Sequence, residues 1–317
     1  MKDFSGKIAV VTGGGSGIGR ELVRQLAAQG CNVATCDVNL KNAQETVRLC
    51  EADRPPQGVR VTAHLADVSD ERQLERFRDE VARQHDTDKV HLLINNAGIG
   101  GGGSLFTDTR EAWDRTFSIT WGGVYLGVRV FLPMVVKAEE GHIVNVSSVN
   151  GFYASIGRDR SHTAYSAAKF AVKGFTEALI NDLRLNAPHV KCSVVMPGHI
   201  GTNIIANSGK VLAGREGEAL TAEEIAAARL RLRQQGIDDA GVTDEQVAAG
   251  VAQMAAAFRD LAPTSPAQAA TIILDGVKAE NWRILVGDDA HVLDERVRAD
   301  PERAYDADFD PGFGIAI

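Results

Sequence analysis

The chain has 317 residues, 44% of them hydrophobic and 24% charged, with 32 Gly and 9 Pro, which excludes collagenous, low-complexity and wholly disordered classes. Lys plus Arg number 34 against 42 Asp plus Glu. A net charge of −8 with no long basic run argues against nucleic acid or an anionic membrane as partner.

The first residues, MKDFSGK, lead straight into an apolar run that glycines cut short, with no signal-peptide core. No stretch of about eighteen unbroken apolar residues follows, so the reading is a soluble, cytoplasmic protein. Apolar, β-branched runs at 7–12, 32–37, 59–65, 90–95, 142–147, 190–196 and 283–286 predict strands, several of them nearly continuous as expected of strands buried on both faces of a parallel sheet. Helical patterns over about 17–29, 39–52, 70–86, 109–137, 162–186 and 266–279 lie between them. This alternation predicts an α/β fold, a doubly wound parallel sheet of Rossmann type, in one domain spanning 1–317.

The rhythm breaks over 203–262, read as an enlarged helical substrate lid. Two Ala-rich, charged stretches there begin with Thr221 and Thr243, each a potential cap with a Glu two or three residues on. Leu212, Ile225, Met254 and Phe258 either line a pocket or form the inner faces of lid helices. The tail, 300–317, has no place in the sheet and is expected to pack on a neighbouring subunit or to fray. Cys31, Cys36, Cys50 and Cys192 show no metal-ligand spacing and read as buried, reduced packing residues.

Chemistry enters with Thr12-Gly13-Gly14-Gly15-Ser16-Gly17-Ile18-Gly19, directly after the first strand and opening the first helix. Glycines there permit a tight turn, and the helix offers free N–H groups and a positive dipole end to a pyrophosphate. Asp37, ending the second strand 18 residues after Gly19, is placed to accept both hydroxyls of an adenosine ribose and to repel a 2′-phosphate, favouring NAD over NADP. Arg20 is the one basic neighbour, and helix geometry should turn it away. Tyr165 and Lys169, four apart on a predicted helix, share a face. A cation beside the phenol lowers a pKa that is ordinarily near 10 and makes Tyr a usable proton donor and acceptor.

The Gly-rich turn, Asn95-Asn96-Ala97-Gly98, Ser147-Ser148 and Tyr165–Lys169, in this order after the expected strands, resemble the short-chain dehydrogenase/reductase family from residue 5 to about 202, and again around Arg283–Gly287. The resemblance implies hydride transfer between a nicotinamide cofactor and a secondary alcohol or carbonyl. Tyr165 would be the acid/base, Lys169 would tune it and hold the nicotinamide ribose, and Ser148 would hydrogen-bond the reacting oxygen. Cofactor contacts are implied for Gly13, Gly15, Ser16, Gly17, Ile18, Gly19 and Asp37, for Asp67 at the adenine edge, and for Val68, Asn95, Ala97 and Gly98. They are also implied for Pro197, Gly198, Ile200 and Thr202, the last reaching the carboxamide. Asn95 would in addition stabilise the sheet centre, whereas Ser147 reads as a satisfied strand-end hydroxyl and Asn96 as a turn residue. No metal is implied.

Two departures from the family pattern stand out. Thr120 occupies the place of an Asn that holds a relay water, so the relay is slowed, rerouted through Ser118, or adequate as it stands. Ser148 and Tyr165 are 17 apart, more than is common in the family, with the extra residues around 157–162 either at the pocket rim or on solvated surface. Gly122, Gly123 and Gly127 in the 109–137 helix suggest close backbone approach. The resemblance implies a homodimer or homotetramer face there, with packing inside one subunit as the alternative. The alternative function is a dinucleotide-binding protein with weak or no turnover, a sensor or scaffold.

Overall fold

Apolar runs bounded by turn residues become seven strands: β1 (Ile8–Thr12), β2 (Asn32–Asp37), β3 (Val61–Leu65), β4 (Leu92–Asn95), β5 (Gly141–Val146), β6 (Val190–Pro197) and β7 (Arg283–Val286). They form one sheet in the order β3-β2-β1-β4-β5-β6-β7, with every pair parallel. The register carries across the centre, where Val10 pairs with both Ala34 and Leu93, and Val144 with both Ile94 and Ser193. This computed structural model describes residues 1–101, 103–155, 161–214, 219–234 and 236–312.

The helices are α1 (Gly17–Ala28), α2 (Leu40–Ala52), α3 (Glu71–His85), α4 (Arg110–Phe117), α5 (Gly123–Val136), α6 (Thr163–Asn186), α7 (Ile204–Ala213), α8 (Ala222–Gln234), α9 (Asp244–Asp260), α10 (Pro266–Lys278) and α11 (Asp288–Ala299). On one sheet face α1 and α10 bury Leu22, Leu26, Ile273 and Val277. On the other, α3, α5 and α6 bury Leu74, Phe77, Phe131, Leu179 and Leu183. Each large side chain so buried contributes roughly 1.5–3 kcal/mol, and the two layers fix the sheet between them.

Arg110–Val136 is long and apolar enough to cross a membrane, but 56% of its most apolar window is buried within the protein, where that apolarity is used against β4, β5 and α3. Gly123 and Gly127 serve the same packing. A Cβ at Gly123 would lie 2.5 Å from Val68 Cγ2, and one at Gly127 would overlap Asn95 Oδ1, whereas Gly122 faces open space. The four thiols are buried and free, and burial raises each above its ordinary pKa.

The two helices read from Thr221 and Thr243 form as α8 and α9. Thr243 makes a capping box, although its partner is Gln246 and not the nearby Glu. Thr221 and Glu224 exchange the same pair of bonds. Two helices went unread, α7, whose N-cap Asn203 makes no side-chain cap bond, and the highly charged α11. The tail packs on its own chain: Ala304 is buried with Tyr153 and Leu293, and Phe309 closes over that cluster.

Candidate active site

The connections from β1 and from β4 run to opposite sides of the sheet, which opens a crevice at their carboxyl ends. The Gly-rich turn fills one wall. Gly13 has φ +68, and a Cβ there would lie 2.8 Å from Ala97 Cα. A side chain would therefore strain the turn and push the β4 loop away. Asn96 laces the two loops together, its Nδ2 donating to the Thr12 and Gly13 carbonyls at 3.0 and 3.2 Å. Thr12 Oγ1 accepts the Asn96 and Ala97 amides at 3.0 and 3.1 Å. The turn role read for Asn96 is what the geometry shows.

Ser16 is the N-cap of α1, yet its hydroxyl caps none of the helix amides and instead accepts from Asn207 Nδ2 at 3.3 Å. The amides opening α1, from Gly17, Ile18 and Gly19, thus lie at a positive dipole end without a side-chain cap, a setting that fits a pyrophosphate. Asp37 ends β2 with Oδ2 accepting the Gly15 amide at 3.0 Å and Oδ1 the Asn39 amide at 2.9 Å. Burial raises its pKa, against those amides and the Arg20 charge. Arg20 is engaged from below the turn, donating to the Gly15 carbonyl at 2.5 Å and to Thr46 Oγ1 at 3.1 Å.

Tyr165 and Lys169 lie one turn apart on α6. Lys169 Nζ is 5.4 Å from the Tyr165 ring centroid, is buried, and donates to the Val146 carbonyl at 2.9 Å. Burial pushes the ammonium down to about 7 and the phenol up to about 12, and the phenol's rise is opposed by its hydrogen bond with the Ser148 hydroxyl. Ser148 follows β5 and opens the 3₁₀ turn Val149–Gly151, its hydroxyl accepting the Asn150 amide at 3.1 Å. Ser148, Tyr165 and Lys169 therefore converge. Ser147, as read, is a satisfied hydroxyl that donates to the Lys169 carbonyl at 2.8 Å.

Thr120 lies in a π turn, Ser118–Gly122, which interrupts the single helix expected over 109–137. Its hydroxyl is fully buried, donates to the Ile99 carbonyl at 3.2 Å and accepts the Ile99 amide at 3.4 Å. A Cβ at Gly98 would lie 3.6 Å from Lys169 Nζ and 3.9 Å from Thr120 Oγ1, so Thr120 borders the same small space while bonded to backbone. Ser118 turns into its own helix, donating to the Arg115 carbonyl at 3.0 Å.

Asp67 sits at the end of β3 with both oxygens engaged. Oδ1 accepts from the Ser69 amide and hydroxyl at 2.9 and 2.6 Å, and Oδ2 pairs with Arg115 at 2.6 Å. Burial raises its pKa, but the Ser69 and Arg115 hydrogen bonds outweigh that and hold it low. Asn95, the last residue of β4, is buried and donates to Asn145 Oδ1 at 2.8 Å, and Asn145 donates in turn to Thr176 at 3.0 Å. These bonds brace the sheet centre, as read. Val68 is likewise buried, against α5.

Pro197 ends β6, and Gly198 packs on Asp289, whose Oδ2 accepts the His199 amide at 2.6 Å. Ile200 is buried and bridges to Thr264. Thr202 faces the Gly-rich turn, with its Cγ2 3.1 Å from where a Gly17 Cβ would stand. From the 203–262 segment, α7 meets the loop after β4: Ser208 accepts the Gly100 amide at 2.8 Å, and Leu212 packs on Gly101. Phe258 packs tilted against His199, with centroids 4.2 Å and planes 39° apart. Of the expected rim loop, residues 157–160 lie outside the described residues. His162 does not: its ring meets the Tyr165 ring edge-on at 4.8 Å. Sequence reasoning missed Arg115 as the partner of Asp67, 48 positions away, for which no local signal exists.

A family model described as short chain dehydrogenase matches residues 7–212. The SadH protein of Mycobacterium tuberculosis is 34% identical over 298 residues, covering 94% of this chain and 92% of that protein. A (3R)-3-hydroxyacyl-CoA dehydrogenase from Rattus norvegicus is 34% identical over 62% of this chain and 74% of its own length. Among solved structures, a short chain dehydrogenase/reductase from Burkholderia phymatum in complex with NAD matches with a TM-score of 0.73 at 30% identity, covering 94% of this chain and 96% of that one. With the sheet order, the Gly-rich turn and the Ser148–Tyr165–Lys169 cluster, these matches show that the chain belongs to the short-chain dehydrogenase/reductase family of oxidoreductases.

Proposed function

We propose that the protein is an NAD-dependent dehydrogenase or carbonyl reductase acting on a secondary alcohol or its carbonyl. The observation that carries the reading is the convergence of Ser148, Tyr165 and buried Lys169 at the crevice. In this reading the α1 amides hold the pyrophosphate, Asp37 the adenosine ribose, Lys169 the nicotinamide ribose and Thr202 the carboxamide. Bound NAD would supply the two-electron acceptor in one direction and the donor in the other. Support for NAD over NADP comes from the Asp37 carboxylate, beside which a 2′-phosphate would crowd two anions, and from Arg20, already spent on Gly15 and Thr46.

Ser148 holds the substrate oxygen by its hydroxyl, and Tyr165 exchanges a proton with it. With Lys169 brought to about 7, the Lys169–Tyr165 pair releases its first proton near neutral pH. In the deprotonated pair the Lys169 amine is neutral, so Tyr165 accepts the alcohol's proton at Oη as it passes its own phenolic proton to that amine, and the protonated pair reverses both transfers to a carbonyl. Thr120, bonded to Ile99, holds the π turn against the Lys169 end as a brace. The relative named for a 3-hydroxyacyl-CoA supports a secondary alcohol as the substrate class, and the seating of α7 on Gly100 and Gly101 supports an enclosed one. The test is Tyr165→Phe: turnover is lost while NADH binding persists, and retained turnover would overturn the assignment.

A further inference from the structure

Between Ser148 and Tyr165 the chain must leave β5 and return to α6, and the first part of that path is held by the C-terminal tail. Ala154 is gripped from both sides: its amide donates to Tyr305 Oη at 2.9 Å, and its carbonyl accepts from the hydroxyl of Ser166, the neighbour of Tyr165, at 3.3 Å. The Tyr153 ring stacks on Tyr305, with centroids 5.5 Å apart and planes 19° apart, and meets Phe309 at 5.7 Å. Upstream, Tyr153 is tied back toward Ser148, since its amide donates to the Val149 carbonyl at 2.9 Å and its carbonyl accepts from Asn150 Nδ2 at 3.1 Å. The Asn150 amide closes on the Ser148 hydroxyl. The tail is anchored in turn, because Arg296 of α11 holds the Asp310 carbonyl at 2.9 Å and its carboxylate at 2.5 Å.

We infer that the segment 300–312 is a strap, acting within its own chain, that sets the position of Ser148, and that Tyr305 is the positioning residue through which it acts. Tyr305 touches neither Ser148 nor Tyr165; it works through the Ala154 peptide and the Tyr153 ring. The inference rests on the reading of Ser148 and Tyr165 as the reacting pair. A hydroxyl aimed at a developing charge loses rate steeply with misplacement, so a loosened strap lowers kcat and leaves the nucleotide end, on the far side of the sheet centre, untouched.

The experiment uses the full-length protein with Tyr305→Ala and Tyr305→Phe, the first removing stack and acceptor, the second the acceptor alone. Tyr305 is 61% exposed, so both variants keep the core intact. Amide exchange over 150–154 should quicken in Tyr305→Ala, and kcat should fall about tenfold with NADH affinity unchanged, while Tyr305→Phe keeps most of both because the stack remains. Unchanged exchange overturns the strap. So does quickened exchange with kcat within about twofold of wild type, or a fall in NADH affinity that matches the fall in kcat. If Tyr165→Phe retains turnover, the catalytic reading fails separately, and the exchange measurement still decides whether the strap exists.

Discussion

Replacing Lys169 by Met should stabilise the fold and abolish turnover together. Lys169 is 4% exposed and its pKa falls from 10.5 to about 7 on burial, which corresponds to about 5 kcal/mol of desolvation borne by the native state. Met has similar volume and no charge to desolvate. Its cost is the lost bond to the Val146 carbonyl, whose orphaning takes back about 1–3 kcal/mol. The net expectation is a gain of about 2–4 kcal/mol at or below pH 7. Between about 7 and 10.5 the unfolded wild type binds the proton that the native state has released, so wild-type stability rises there by about 1.4 kcal/mol per pH unit. The advantage of Met should shrink accordingly. Urea unfolding of both proteins between about pH 6.5 and 9 reads the gap directly. A variant less stable than wild type at pH 6.5, or a gap that does not change with pH, would refute the reasoning.

The same titration shapes catalysis: alcohol oxidation should rise through about pH 7 as the Lys169–Tyr165 pair loses its first proton, and carbonyl reduction should fall over the same range, as initial rates against pH will show. Asp37→Ser should weaken NADH binding and shift the NADH-to-NADPH affinity ratio by roughly 10–100-fold toward NADPH, since a charged hydrogen-bond partner is worth about 1.5–3 kcal/mol; an unchanged ratio in fluorescence titrations would remove Asp37 from the cofactor assignment. Thr120→Val should cost about 1–3 kcal/mol in urea unfolding by stranding the Ile99 amide and carbonyl, with kcat within about tenfold of wild type; a collapsed kcat at full stability would make the hydroxyl a relay and not a brace.

How much of this was written in the sequence depends on whether the cause was local. Central strands buried on both faces announce themselves as continuous apolar runs, and the half-buried edge strand β3 showed through its β-branched pattern, so all seven were legible. The Gly-rich turn was legible too, because Gly13 answers to a backbone constraint that few other residues meet. The π turn at Ser118–Gly122 was not: it changes the hydrogen-bond ladder without changing the apolar pattern of the helix around it. Asp67 entered through the family resemblance, but its partner Arg115 is fixed by the way α4 packs, which no spacing encodes. Thr120 was read as a question about a water, and the structure shows a hydroxyl already bonded on both sides to Ile99. The tail was read by composition as a fringe. Tyr305 and Phe309, four apart in an acidic run, were the signal that it had a surface to meet, and that surface is Tyr153 of the same chain.

The measurement that bears most directly on the central claim is NADH formation from NAD⁺ over a panel of aliphatic, alicyclic and aromatic secondary alcohols, with Tyr165→Phe run beside wild type. Wild-type turnover on at least one alcohol, absent in Tyr165→Phe although that variant still binds NADH, is the predicted result. Equal turnover in the two proteins, or NADPH formation from NADP⁺ outpacing NADH formation, would contradict it.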